Sequence, residues 1–184
     1  RNEYREPGLT SDGPAEEAEF TLQLLHRSDN ESSFLDVNTL ENKVINYSAI
    51  TNGLEDLADD RGWASLHVTA GDHTLPGVFY EAGEEAFNGG GLGDIEIFNA
   101  LGIRANGIGN HEFDEGINDF LAMVEASNYV HLSSNLDFSG VDGAEELFVA
   151  YGADDAAQSV DELAGKIASS AYVDLNGQKN GLIG

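Results

Sequence analysis

What most limits the folds open to this chain is an alternation. Strand-like apolar runs take turns with stretches of helical periodicity from residue 20 onward. Phe20 to Leu25 alternates in strand fashion, and Leu40, Val44, Tyr47, Leu54 and Leu57 then recur at helical spacing. Asn38 with Glu41 three residues on forms a capping-box pattern for that helix, and Arg61-Gly62 closes it. Ser65 to Ala70 alternates again. A glycine-rich stretch from Gly89 to Gly93 precedes a short helix, capped by Asp94 and closed near Gly102. Ile103 to Ile108 is a third strand, Ile117, Phe120, Leu121 and Val124 line an amphipathic helix, and Tyr129 to Ser133 is a fourth strand. A short helix is expected over Val160 to Ile167. Asn176-Gly177, between Tyr172-Val173-Asp174-Leu175 and the final Gly181 to Gly184, marks a hairpin turn. This order predicts an α/β layer of mainly parallel strands, whose carboxyl-terminal loops gather on one edge.

Polar clusters sit at that edge. Asp29-Asn30-Glu31 follows the first strand, Gly71-Asp72-His73 the second, Gly109-Asn110-His111-Glu112-Phe113-Asp114 the third, and Asn135 the fourth. The fold would bring these groups together although they are far apart in sequence. Carboxylates gathered without cationic partners cannot all stay ionised, and only Arg27 and Arg104 lie near these loops. A divalent metal is the expected counter-charge. Carboxylate, amide and imidazole donors suit Mn²⁺, Fe, Zn²⁺, Mg²⁺ or Ca²⁺. A carboxylate between two cations, such as Asp72, would hold a pair of ions at about 3.5–4 Å, the separation used in phosphate-ester hydrolysis.

Charge narrows the partners. Acidic residues number 34 against 8 basic ones, for a formal net charge of −26. Such a surface repels nucleic-acid duplexes and anionic membranes. Adaptation to high salt is the simplest origin of the acidity. No apolar run is long enough to span a membrane, and no leader is visible. The absence of cysteine excludes disulfides, thiolate nucleophiles and Cys-type zinc sites. Residues 1–18 read as an acidic flexible linker and 19–184 as the folded unit. The chain opens on Arg1 rather than Met and stops in an apolar run at Gly184, so a segment of a longer protein is expected.

Taken in order, Leu24-Leu25-His26-Arg27-Ser28-Asp29-Asn30-Glu31, Ala70-Gly71-Asp72, Asn99-Ala100-Leu101-Gly102, Gly109 to Asp114 and Ser134-Asn135-Leu136 resemble the motifs of the calcineurin-like metallophosphoesterases. The 5′-nucleotidase branch is the nearest in pattern. The resemblance implies an αββα sandwich, incomplete at its C-terminal end, and two divalent ions. It implies Asp29 on the first metal, Asp72 bridging both, and Asn110 on the second. It gives His111 the phosphate as its partner, with Asp114 orienting the imidazole. The substrate implied is a small phosphorylated molecule, a nucleotide in this branch, attacked by metal-activated water. A cyclic-nucleotide phosphodiesterase, a nucleotide-sugar pyrophosphatase and a non-catalytic metal- or ligand-binding member are the alternatives. The resembling nucleotidases are often periplasmic or extracellular.

Two departures qualify the pattern. The family has Asp-x-His in its first motif where this chain has Asp29-Asn30-Glu31. Glu31 either replaces a neutral nitrogen ligand by an anionic oxygen, favouring Mn²⁺, Mg²⁺ or Ca²⁺ over Zn²⁺, or stands by as a spectator. The family also needs later histidines, including Gly-His-x-His, and no histidine follows His131. The missing C-terminal part of the chain would supply them, and this segment alone is expected to be inactive.

Plainer readings hold for the rest. His26, His67 and His131 lie in strands and are expected to be core histidines. His73 either points into the cleft or stays behind it. The glycine run lacks Gly-Lys-Ser/Thr and is expected to be a rim loop. Ser32 and Ser33 lack a Gly-x-Ser-x-Gly elbow and so are not nucleophiles. Acidic pairs such as Asp59-Asp60 and Asp154-Asp155 read as solvated surface.

Overall fold

A computed structural model describes residues 20–36, 41–151 and 155–184 of the chain. The expected linker over residues 1–18 and the capping pattern at Asn38 lie outside the described residues. β1 (Leu22–Arg27) leads into a small ribbon, β2 (Leu35–Asp36) against β3 (Glu41–Asn42). Asn42 caps α1 (Lys43–Asp60), its Oδ1 accepting the Val44 N–H at 3.0 Å. Gly62, at φ 67°, turns the chain into β4 (Ala64–Thr69). Next come α2 (Val78–Phe87), α3 (Leu92–Ala100), β5 (Ala105–Gly107), a 3₁₀ turn at His111–Phe113 and α4 (Ile117–Ala126). The chain closes with β6 (Val130–Leu132), β7 (Phe148–Val149), β8 (Ile167–Ala168) and a hairpin of β9 (Ser170–Leu175) and β10 (Gln178–Ile183).

Six strands make one parallel sheet in the order β1-β4-β5-β6-β8-β7. Its central strands are short and buried on both faces; all three residues of β6 are buried. That is what a parallel sheet covered by two layers requires. On one face Ile95 and Phe98 of α3 and Phe120, Met123 and Val124 of α4 form the main core with Phe34 and Tyr129. The other face packs Leu66, Ala105, Val130 and Leu132 against Val160, Leu163, Ala171 and Val173. α2 and α3 meet through Gly83 and Gly93. A Cβ on Gly83 would stand 3.3 Å from the Gly93 nitrogen, so a larger residue there would push the two helices apart by a few tenths of an ångström.

The α/β architecture with a parallel sheet and flanking helices is the one expected. Several local expectations are corrected. Val160 to Ile167 is not a helix but a run of turns feeding β8: Gly165, at φ 70°, donates its N–H to Tyr129 O at 3.1 Å. Tertiary pairing overrides a weak local helical pattern. α2 had no counterpart in the periodicity. His26 is exposed rather than buried, because β1 is the sheet's edge strand and its outer face, with Leu24 56% exposed, carries no covering layer among the described residues.

Candidate functional site

The loop after β1 owes its shape to left-handed residues that are not glycine. Asp29, Glu31 and Ser32 have φ of 52°, 48° and 49°, and Asp72 across from them has φ 53°. Such conformations cost energy and persist only where surrounding contacts enforce them. Here the contacts are backbone bonds that extend the β1–β4 ladder past the sheet. Asp29, Glu31 and Ser32 donate their N–H groups to the carbonyls of Gly71, Asp72 and His73 at 3.1, 3.0 and 2.9 Å. The first and second strand-end loops therefore run side by side.

The third loop joins them through glycine. A Cβ on Gly71 would lie 2.6 Å from the Gly109 Cα and 2.8 Å from the Gly107 carbonyl, so the two loops touch backbone to backbone. Glu112 is buried at this contact. Its Oε2 accepts the N–H groups of Asp72 (3.1 Å) and Gly109 (2.8 Å), and its Oε1 accepts that of His73 (2.8 Å). Burial raises the pKa of the Glu112 carboxyl above its ordinary range, the three amide bonds pull it back down, and the neighbouring Asp72 charge adds to the rise. Asp72 Oδ1 in turn accepts the His111 N–H at 3.0 Å.

His111 and Asp114 stand at the open side of this junction. Nδ1 of His111 meets Asp114 Oδ2 at 2.8 Å, and no hydrogen-bond partner among the described residues engages Nε2. The hydrogen bond to Asp114 raises the imidazole above its usual value. The charges of Asp114, Asp72 and Glu31 push the same way. Asp29, Glu31 and Asn110 are exposed, and Asp72 is half-buried.

Beneath the loops runs a chain of buried polar side chains. The Thr69 hydroxyl donates to Asn106 Oδ1 (2.9 Å), so His73 Nε2, 2.8 Å from Thr69 Oγ1, is the protonated nitrogen. His73 Nδ1 is then a bare lone pair without a partner, on an imidazole that burial lowers to about 4. Asn106 Oδ1 also accepts the Gly71 N–H (3.0 Å), while its Nδ2 faces His131 Nδ1 (3.3 Å). His131 Nε2 meets Ser127 Oγ at 2.9 Å, and burial lowers that imidazole to about 3. On the other flank Ser32 Oγ donates to Asp94 Oδ2 (2.9 Å) and accepts the Leu75 N–H (3.2 Å). Asp94 is thus no helix cap: Gly91 holds that position at φ 71°, and Asp94 is a buried carboxyl, pushed up to about 7.

The loops carrying Asp29, Glu31, Asp72, Asn110, His111 and Asp114 are therefore neighbours. Asn135, after β6, accepts the Ser133 hydroxyl at 2.9 Å. His67 is a buried structural histidine, its Nδ1 facing Leu101 O at 3.1 Å, and His131 is likewise structural. Asn99, from the Asn-Ala-Leu-Gly motif, clamps the end of α4. It donates to Ala126 O (3.0 Å) and accepts the Asn128 N–H (2.8 Å). The supporting roles of Glu112, Asn106 and Ser32 had no sequence signal beyond Glu112's place in a motif, although Ser32 is indeed no nucleophile: it bonds Asp94 and Leu75. For metal, the carboxylate and amide oxygens on adjoining loops suit a share of a divalent shell. They do not complete one: among the described residues no group of three or more His, Asp or Glu side chains gathers to hold an ion.

No family model matches the chain. A curated protein of Lutzomyia longipalpis, Protein 5NUC, is 23% identical over 142 residues, which span 71% of this chain and 24% of that protein. Among solved structures, a 5′-nucleotidase precursor from Thermus thermophilus superposes with a TM-score of 0.61 at 27% identity, over 90% of this chain and 28% of that one. The NAD nucleotidase of Haemophilus influenzae (TM-score 0.55, 20% identity, 87% and 25%) and a calcineurin-like phosphoesterase of Bacillus subtilis (0.53, 13%, 86% and 45%) share the fold. The chain spans about a quarter of the length of its nucleotidase relatives. The chain thus shares the fold of the calcineurin-like phosphoesterases, and its sequence likeness lies with a 5′-nucleotidase precursor and Protein 5NUC.

Proposed function

We propose that the protein hydrolyses phosphate esters with the help of two divalent ions, as a 5′-nucleotidase-like phosphomonoesterase. The observation that carries this reading is the His111–Asp114 pair at 2.8 Å, set beside Asp72 where three strand-end loops meet. Asp29 and Glu31 would hold one ion, Asp72 would bridge and Asn110 would hold the other. Bound ions supply positive charge for the phosphoryl oxygens and lower the pKa of the attacking water. The described residues offer too few ligands for two ions, and the remainder would come from outside them. Asp114 fixes the proton on Nδ1 of His111, leaving Nε2 to face the phosphate or the departing oxygen. A nucleotide is the substrate favoured by the names of the relatives, and export to the periplasm or beyond fits the precursor form of the Thermus protein. No helix of the described residues is long and apolar enough to cross a membrane.

The test is kinetic and uses the intact protein. Reconstituted with Mn²⁺ or Mg²⁺ it should release phosphate from AMP. His111→Ala should lower kcat by roughly 10²–10⁴-fold, the span of a lost general acid or charge stabiliser. An H111A protein at wild-type rate would remove the role given to that imidazole. With Glu31 as an anionic ligand, Mn²⁺, Mg²⁺ or Ca²⁺ should support more activity than Zn²⁺. A strict zinc preference would make Glu31 a bystander. Phosphate binding without turnover would favour a non-catalytic member. That second reading draws on the incomplete donor set.

A further inference from the structure

We propose that Glu112 is a positioning residue. Its carboxylate bolts the Asp72 loop to the Asn110–His111 loop and sets the spacing of their side chains, without itself touching metal or substrate. The inference deepens the phosphoesterase reading and rests on it.

Two glycines set the geometry of the junction. Gly71 and Gly109 bring two backbones into direct contact, so no side chain can lie between them. A Cβ on Gly109 would stand 2.6 Å from the Asp72 nitrogen and 2.8 Å from Glu112 Oε2. Backbones packed this tightly would strand their inward N–H groups away from water unless an acceptor met them. Three such groups, those of Asp72, His73 and Gly109, point at one place, and Glu112 fills it with two oxygens that accept all three at 2.8–3.1 Å. Only an ionised carboxylate offers enough acceptor sites in so small a group. Because both oxygens are engaged on backbone and the side chain is 4% exposed, Glu112 is not free to ligate an ion.

The bolt reaches the reacting groups by short routes. Asp72 carries its own N–H on Glu112 and presents Oδ1 to the His111 N–H at 3.0 Å. Displacing the carboxylate would therefore shift Asp72, Asn110 and His111 relative to one another. Asn106 secures the same turn from below through the Gly71 N–H, so the loop has one support on each side.

The experiment compares wild type and Glu112→Gln in the intact protein. An amide of the same shape turns one acceptor into a donor facing N–H groups. Two readouts apply: Mn²⁺ affinity by titration calorimetry on folded protein, and hydrogen exchange of the Asp72, His73 and Gly109 amides without metal. The expected result is a loss of affinity of about 10-fold or more, the scale of a disturbed outer support around a metal. The three amides should also exchange at least about 10-fold faster, while core amides such as those of β6 stay unchanged. An E112Q protein that unfolds earlier in urea yet binds Mn²⁺ like wild type overturns the proposal, since its role is then merely structural. If wild type itself binds no Mn²⁺, the phosphoesterase reading fails, and amide exchange alone judges whether Glu112 bolts the loops. Should E112Q not fold, wild-type exchange decides: three protected amides opening at one common rate support a single bolt, and unequal or unprotected rates overturn it.

Discussion

Asp94 shows how much a single side chain can hold that a sequence does not display. As a helix cap it would sit in water with an ordinary acidity; instead it is 0% exposed, with one oxygen bonded to Ser32 and the other without a partner. Desolvation by burial raises its pKa from 3.8 to about 7, and the Ser32 hydroxyl offsets part of that rise. Because the folded-state value lies above the unfolded one, the favourable protonated form is fully present below about 4. Its contribution is lost as pH rises through about 7. Asp94→Asn should thus gain stability relative to wild type across that window, by on the order of 2–4 kcal/mol at its upper end. Urea unfolding of both proteins at several pH values checks this, and a difference that stays constant with pH would mean Asp94 does not titrate there. His111 and Asp114, by contrast, were paired through the motif resemblance, and their contact is local: three residues apart, in one turn, at 2.8 Å.

At the scale of elements, the site is made by loops that continue the sheet's ladder after the strands end. Four non-glycine residues take left-handed conformations to do so, and Gly71 has to be a glycine. Gly71→Ala meets both a φ of 80° and the backbone of Gly109, and should cost about 2–4 kcal/mol from strain and overpacking together. Gly62→Ala, at φ 67° but with open space around the added carbon, should cost only about 1 kcal/mol. Urea midpoints of the two variants test the comparison. Equal losses would show that the close approach of the loops adds nothing to the strain of the turn. β1, β4, β5 and β6 were readable from alternation, and α4 from its apolar stripe, but the two-residue strands β7 and β8 of the same sheet were not. α2 was not, and the turns over 160–166 mimicked a helix, because pairing with β6 and β7 decided their path.

For the whole molecule, charge dominates. With 34 acidic residues and 8 basic ones, self-repulsion opposes the compact state at low ionic strength. Screening shortens from about 10 Å at 0.1 M salt to about 3 Å at 1 M, below the spacing of most surface charges. The thermal midpoint of the intact protein should therefore climb by several degrees between about 0.1 and 2 M KCl. A flat or falling midpoint in calorimetry would mean the acidic surface carries no such penalty. Any ion pair of this surface is a minor term: Arg104 and Asp161 meet at 2.6 Å, but both are exposed.

Local pattern was enough for the class of fold, for the longer strands of the sheet and for the polar groups placed at their carboxyl ends. Periodicity and local motif chemistry are properties of neighbouring residues, and these follow from them. Tertiary structure alone decided that Glu112 faces three amides of two loops, that Asp94 lies buried under Ser32, and that His26 faces outward while His131 is sealed in. Most of those contacts join residues some 25 to 62 positions apart, a distance over which local pattern carries no information.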